Sequence, residues 1–259
     1  MKLNARLQTA QNAVAETPVV LIHGLFGSLD NLGVLARGLK DTHHILQIDL
    51  RNHGLSPRAD DMSYRAQAQD VIDTLDAYDI PRATLIGHSM GGKVTMAASA
   101  LAPDRLNGLV MIDIAPVDYQ LRRHEDVFAA VKAVSAAGAT TRHAASEIMS
   151  QHIREPGVIQ FLLKSFVEGE WRFNVPVLWE QYPRIIGWED IPAWQHPVLF
   201  INGGNSPYIK DEYLPALNRQ FPQAIRETIA GTGHWVHAEK PSEVLAAIGR
   251  YLPLTQSNA

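Results

Sequence analysis

Ala83-Thr84-Leu85-Ile86-Gly87-His88-Ser89-Met90-Gly91-Gly92-Lys93-Val94-Thr95-Met96-Ala97-Ala98 is the stretch from which the rest of the chain can be read. Its first four residues form an apolar run with strand character. From Gly92 onward the small residues have the composition of a closely packed helix. Between them lies Gly-x-Ser-x-Gly. In a strand–turn–helix setting this pattern is a nucleophile elbow, in which the chain turns so sharply that the serine is strained and its hydroxyl exposed. The flanking glycines are needed because a side chain at either place would collide with the crossing strand and helix. The bare pattern is common, and its setting gives it meaning. Ser89 is thus the candidate nucleophile, and the chemistry indicated is acyl transfer through a serine ester. The plainer reading makes Ser89 a helix cap.

Working outward, strand-like and helix-like segments alternate, the pattern of a mainly parallel sheet covered on both faces. The apolar runs are 18–23, 44–49, 83–87, 106–113, 197–202 and 224–229. Helix candidates are 30–40, 63–78, 90–101, 209–220 and 241–251, with Ser63 as a cap and Pro241 in a first turn. Residues 2–7 alternate leucine with polar residues and suit an antiparallel edge strand. From about 117 to 190 the rhythm breaks. Phe128–Val134, Arg142–Met149 and Ile159–Phe166 have helical spacing, and Glu170–Asn174 suits a short hairpin arm. We expect a core of residues 1–116 and 191–259 with a helical cap, 117–190, over the site. The alternative is a helical insertion elsewhere on the surface.

The composition limits the classes open to the chain. Its 259 residues, 46% hydrophobic and 19% charged, suit one sizeable α/β domain. A net charge of −4 argues against nucleic acid as the main partner. With no cysteine, disulfides, thiolate chemistry and cysteine zinc sites are excluded. The first residues carry no apolar signal core, and no stretch approaches the ~20 apolar residues of a membrane span. The expectation is a cytoplasmic protein with no membrane span. No pattern points to a particular oligomeric state.

Two further pieces join the elbow. His23-Gly24-Leu25-Phe26-Gly27-Ser28 follows the run Pro18–Ile22, and Gly233-His234-Trp235 follows Ala224–Ile229. With these, and with Asp49-Leu50-Arg51-Asn52-His53-Gly54-Leu55-Ser56, Gly203-Gly204-Asn205-Ser206-Pro207-Tyr208 and Gly231-Thr232-Gly233-His234-Trp235, the chain resembles the α/β-hydrolase superfamily. Within it, the resemblance is to the small bacterial YbfF-type esterases, related to mitochondrial abhydrolase proteins. It covers nearly the whole chain and is least specific in the cap. It implies an α/β-hydrolase fold of about eight strands, with the site at the carboxyl ends of the central ones.

The parts follow in order. His234, glycine-flanked after the last strand, is the candidate base, ahead of His88, His23 and His237. The family's usual place for the acid is the loop after the penultimate strand, here Asn202–Pro207, which holds no carboxylate. Asp211 and Glu212 come later, at a helix start. Asp113 ends the strand just after the nucleophile strand and its helix, a position that some members of the superfamily use. Asp113 is therefore the favoured acid, and Asp49 is read as structural. Backbone N–H groups of Met90 and Leu25 are the expected oxyanion donors, with Phe26 as the alternative for the second. Phe26, Tyr119, Trp179, Tyr208 and Trp235 are candidates for an acyl pocket, against ordinary core packing. Arg122-Arg123-His124 is either a solvated helix start or, through Arg123, a contact for an anionic substrate part such as the phosphates of an acyl-CoA.

The reading is a serine hydrolase acting on a small-molecule ester or thioester, with no metal or organic cofactor. A carbon–carbon bond hydrolase, a lyase on the same fold, and a small-molecule sensor with a vestigial triad are the alternatives.

Overall fold

A computed structural model describes residues 1–258. The first strand, β1 (Ala5–Gln8), is followed by β2 (Val19–Ile22), α1 (Gly33–Leu39), β3 (Ile45–Ile48), α2 (Tyr64–Ala77), β4 (Ala83–His88), α3 (Met90–Leu101) and β5 (Leu106–Ile112). After an intervening helical block come β8 (Val198–Gly203), α9 (Leu214–Gln220), β9 (Ala224–Ile229), α10 (Val236–Glu239) and α11 (Pro241–Tyr251). The block itself holds α4 (Glu125–Ala137), α5 (Arg142–Met149), α6 (Pro156–Leu163), the paired β6 (Phe166–Val167) and β7 (Glu170–Trp171), α7 (Val175–Glu180) and α8 (Tyr182–Ile186).

One sheet runs β1-β3-β2-β4-β5-β8-β9. Only β1 is antiparallel, pairing with β3. The main sheet thus has seven strands where the resemblance implied about eight. The remaining two described strands pair with each other in the helical block. Strands β2, β3, β4, β5 and β8 are buried along their whole lengths. That explains their continuous apolar runs, because a parallel strand covered on both faces has no wet side.

The two faces feed two cores. Val20, Ile22, Leu85, Leu109, Met111 and Phe200 point to one side with α2, α3 and the helical block. Their neighbours Val19, Leu21, Ile86, Val110, Ile112 and Leu199 point to the other, where α1 and α11 pack. This is the period-two alternation of a strand. Ser63 caps α2, its side chain accepting from the amide of Ala66. Pro241 occupies the first turn of α11.

The order of the strands positions the site. Strand β4, which leads into Ser89, is central, β5 lies beside it and β8 beside β5, so the ends of three adjacent strands converge. Asp49, at the end of β3, lies two strands from β4 on the opposite side. Among the described residues no helix is long and apolar enough to cross a membrane.

Candidate active site

Ser89 stands between β4 and α3 with φ 55° and ψ −120°. A non-glycine residue at positive φ is costly and persists only where its surroundings impose it. Here the surroundings are backbone. A Cβ at Gly87 would strike the carbonyl of Gly91, and one at Gly91 would strike the carbonyls of Ile22 and His23. The elbow is thereby pressed against the end of β2, and Ser89 N donates to Ile112 O on β5 at 3.0 Å.

A hydrogen-bonded series runs from the elbow. Ser89 Oγ lies 2.9 Å from His234 Nε2, and His234 Nδ1 lies 2.6 Å from Asp113 Oδ2. A carboxylate only accepts, so Nδ1 carries the proton and Nε2 is free to accept from the serine hydroxyl. Asp113 is wholly buried. Its carboxylate also accepts from Gly203 N at 3.0 Å and from Ser206 Oγ at 2.5 Å. A buried carboxylate needs this many donors to offset its lost hydration. Asp113 itself has φ 54°, with its amide donating to Ile201 O at 2.6 Å. The loop that holds no acid thus supplies two donors to an acid one strand away. Asp211 and Glu212 lie on the short 3₁₀ turn before α9, apart from this cluster.

The loop after β2 completes the other side. Phe26 has φ 67°, and its amide donates to His53 Nε2 at 3.1 Å, so it is not available to a ligand. Leu25 N has no acceptor among the described residues. Met90 N, the first of α3, has none within its helix. Both residues line the cavity beside Ser89. Of the two candidate amides in this loop, that of Phe26 is engaged and, among the described residues, that of Leu25 is not.

The other histidines brace the backbone. His23 accepts from Leu50 N at 2.9 Å through Nε2 and donates to Gly24 O at 2.7 Å. Burial pulls its imidazole down to about 4. His53 accepts from Phe26 N and donates to Arg51 O, and burial, aided by His23, lowers it to about 3. His88 donates from Nε2 to the carbonyl of His234 at 2.8 Å. It is held well below the usual histidine range, by burial first and then by His237 and His234. Asp49 accepts from Asn4 Nδ2 and from the amides of Leu29 and Leu55, a structural set of partners.

This geometry can activate a hydroxyl, hold the resulting imidazolium and cradle an oxyanion between two amides. The comparisons with known proteins agree in kind. The family model for the alpha/beta hydrolase fold matches residues 17–241. The chain belongs to the α/β-hydrolase family. Esterase YbfF of Escherichia coli is 67% identical over 252 residues, spanning 97% of this chain and 99% of that protein. The sn-1-specific diacylglycerol lipase ABHD11 of Xenopus laevis is 38% identical, over 93% of this chain and 81% of its own. A solved marine microorganism esterase superposes with a TM-score of 0.91 at 33% identity, covering 97% of this chain and 100% of the esterase. The YbfF-type resemblance read from the motifs therefore holds.

In this α/β-hydrolase the cavity at Ser89 is walled by the core and the helical block together. Tyr64, Lys93 and Ile114 contribute from the core side, and Leu121, His124, Tyr182, Ile185 and Ile186 from the block. Of the expected pocket residues, Tyr119, Arg123 and Tyr208 line it. The Tyr208 ring stacks on the His234 imidazole with centroids 4.0 Å apart, so it also fixes the ring plane. Arg123 is exposed and sits over Tyr208 at 5.3 Å.

Three expected pocket residues are placed elsewhere. Phe26 is buried against Phe128 and Phe173 behind the cavity wall. Trp235 packs on Phe161 beside His234. Trp179 is 37% exposed and packs against Phe128, with Lys132 over its ring at 3.7 Å. It is a side chain of the block's outer surface. Three residues that the quoted motifs contain but gave no part at the site also stand there: Ser206 at the Asp113 carboxylate, His53 at the amide of Phe26, and His124 in the cavity wall. Ser206 carried a weak signal, a hydroxyl in the loop where the family's acid usually stands.

Proposed function

We propose that this carboxylic ester hydrolase works through a Ser89-His234-Asp113 triad and a covalent acyl-enzyme, with residues 117–190 acting as a cap over the site. Ser89 Oγ attacks the acyl carbon while His234 Nε2 takes its proton. The tetrahedral oxyanion is held by the amides of Leu25 and Met90, donors set in place before charge appears. His234 then protonates the departing alcohol or thiol. A water, deprotonated by His234, attacks the ester carbon, and its collapse frees the acid and restores Ser89. Asp113 holds the imidazole in the required tautomer and stabilises its charged form.

The observation that carries this reading is the unbroken series from a strained serine hydroxyl through His234 to a fully buried carboxylate, at 2.9 and 2.6 Å. For the substrate we favour an acyl group lying along Leu121, Tyr182, Ile185 and Ile186, with Arg123 at the cavity rim. An exposed guanidinium there suits a leaving group that carries anionic phosphates, such as the coenzyme A released from an acyl-CoA thioester.

The test is intact-protein mass spectrometry after treatment with a fluorophosphonate, comparing wild type, Ser89→Ala and Asp113→Asn. The expected result is one adduct on wild type, none on Ser89→Ala and slow labelling of Asp113→Asn. Folded wild type that forms no adduct would sink the acyl-enzyme and shift weight to a lyase or sensor reading. A panel of oxygen esters and acyl-CoA thioesters then reads the substrate class.

A further inference from the structure

Lys93 is buried, with a relative exposure of 1%, and the chemistry above makes no use of it. It lies in the first turn of α3, where its amide donates to Ser89 O at 3.3 Å. No described carboxylate forms an ion pair with it; Asp118 acts on it only at longer range. Its Nζ donates instead to three main-chain carbonyls: Val117 at 2.8 Å, Ile186 at 3.0 Å and Gly187 at 2.9 Å. These use all three ammonium protons. The ring of Tyr119 lies 4.7 Å away, and those of Tyr64 and Trp188 stand farther out at 5.8 and 5.9 Å.

The three carbonyls belong to the two ends of the helical block. Val117 lies where the chain leaves β5 for α4, and Ile186 and Gly187 where it returns from α8. The two segments also touch directly, Tyr119 N donating to Ile186 O at 3.1 Å. Behind them Gln220 bridges the same pair, giving a bond to Pro116 O and taking bonds from Trp188 Nε1 and Ile191 N. Burying an ammonium without a counter-charge is expensive. Burial indeed pulls Lys93 down to about 7. An apolar side chain would fill the same space at less cost, so the position needs what only the ammonium provides, three donors aimed at two separate chain segments.

We infer that Lys93 is a positioning residue whose ammonium fastens both hinge segments of the cap to α3, the helix that follows Ser89, keeping the cap's wall of the cavity in register with the nucleophile. The inference rests on the reading of residues 117–190 as a cap. It predicts a selective defect. Hinges set loose leave the elbow, His234 and Asp113 in place but displace Leu121, Tyr182, Ile185 and Ile186, which face the far part of an acyl chain.

The experiment compares Lys93→Met with wild type by hydrogen–deuterium exchange and by kinetics on acetyl and long-chain esters. The expected result is faster exchange in peptides spanning 115–124 and 182–190, with the rest unchanged. KM for the long-chain ester should rise by about tenfold, several times more than that for the acetyl ester. Alkylating Lys93→Cys in denaturant with 2-bromoethylamine and refolding restores an ammonium at lysine length; the chain has no other cysteine to react. This should return both readouts toward wild type. Hinge peptides that stay protected in Lys93→Met would overturn the clasp alone. Hinges that loosen while the long-chain KM stays put would overturn the positioning role and the cap reading together. If Lys93→Met does not fold, the ammonium signal of ¹⁵N-lysine-labelled wild type decides. One signal protected from exchange supports the clasp, and ammonium groups that all exchange as surface lysines do would overturn it.

Discussion

Ser89, Asp113 and Phe26 all sit at positive φ, and each belongs to a different strand end. Such strain is maintained by the surrounding packing, and it aims side chains where a relaxed backbone would not. Asp113 shows the consequence. Its turned backbone points the carboxylate at His234, Gly203 N and Ser206 Oγ together. Asp113→Asn keeps the size and loses the charge and the tautomer control. Turnover should fall by roughly 10³- to 10⁴-fold with little change in melting temperature, and steady-state kinetics with an activated ester checks it. Ser206→Ala leaves the carboxylate two of its three partners. It should cost about tenfold in turnover, the size of one hydrogen bond to a charged group. A Ser206→Ala enzyme as active as wild type would mean that the hydroxyl is incidental. Asp113 was legible as a strand-end carboxylate beside the strand of the candidate nucleophile, whereas Ser206 showed only as a hydroxyl in a quoted loop, because a loop serine has many ordinary uses.

At the scale of elements, the elbow is a packing device, whatever its chemistry. The β4–α3 turn presses on the end of β2 so closely that only glycine fits at 91, the obstacles being main-chain carbonyls of Ile22 and His23 that no rotamer change can move. Gly91→Ala should therefore lower the melting temperature by roughly 10 °C or abolish soluble expression. A melting temperature within about two degrees of wild type would show that β2 can yield. Because His23 begins the loop that carries Leu25, any surviving protein should also lose activity. The strands and the elements flanking the elbow were legible from periodicity, since parallel strands buried on both faces read as short apolar runs. The helical block was legible only as helices. Which of its residues wall the cavity was not, and Trp179 ended on the outer surface because the orientation of α7 is set by Phe128 and its neighbours.

For the whole molecule, several histidines are neutral parts of the framework. His23, His53 and His237 are buried and lowered to about 4, 3 and 4 from 6.5. In the unfolded chain they protonate as pH falls through about 6.5, while in the folded protein they resist. The unfolded state then binds more protons, so their contribution is intact above pH 6.5 and is lost progressively toward pH 4. The urea midpoint should fall between pH 7.5 and pH 5, and a flat midpoint over that range would refute the assignment. His53 links this to the proposed oxyanion donors, because its Nε2 must stay unprotonated to accept from Phe26 N in the loop after β2. The sequence by itself determined the fold family, the nucleophile candidate and the order of the parts, because a strand–elbow–helix and a parallel sheet are written in local glycines and apolar runs. Only the tertiary structure decided that the amide of Phe26 is taken by His53 in the loop after β2, that Ser206 donates to Asp113, and that Lys93 grips both ends of the helical block. Those contacts join residues 24 to 94 positions apart. They depend on how strand ends and loops converge in space, which no local pattern of residues encodes.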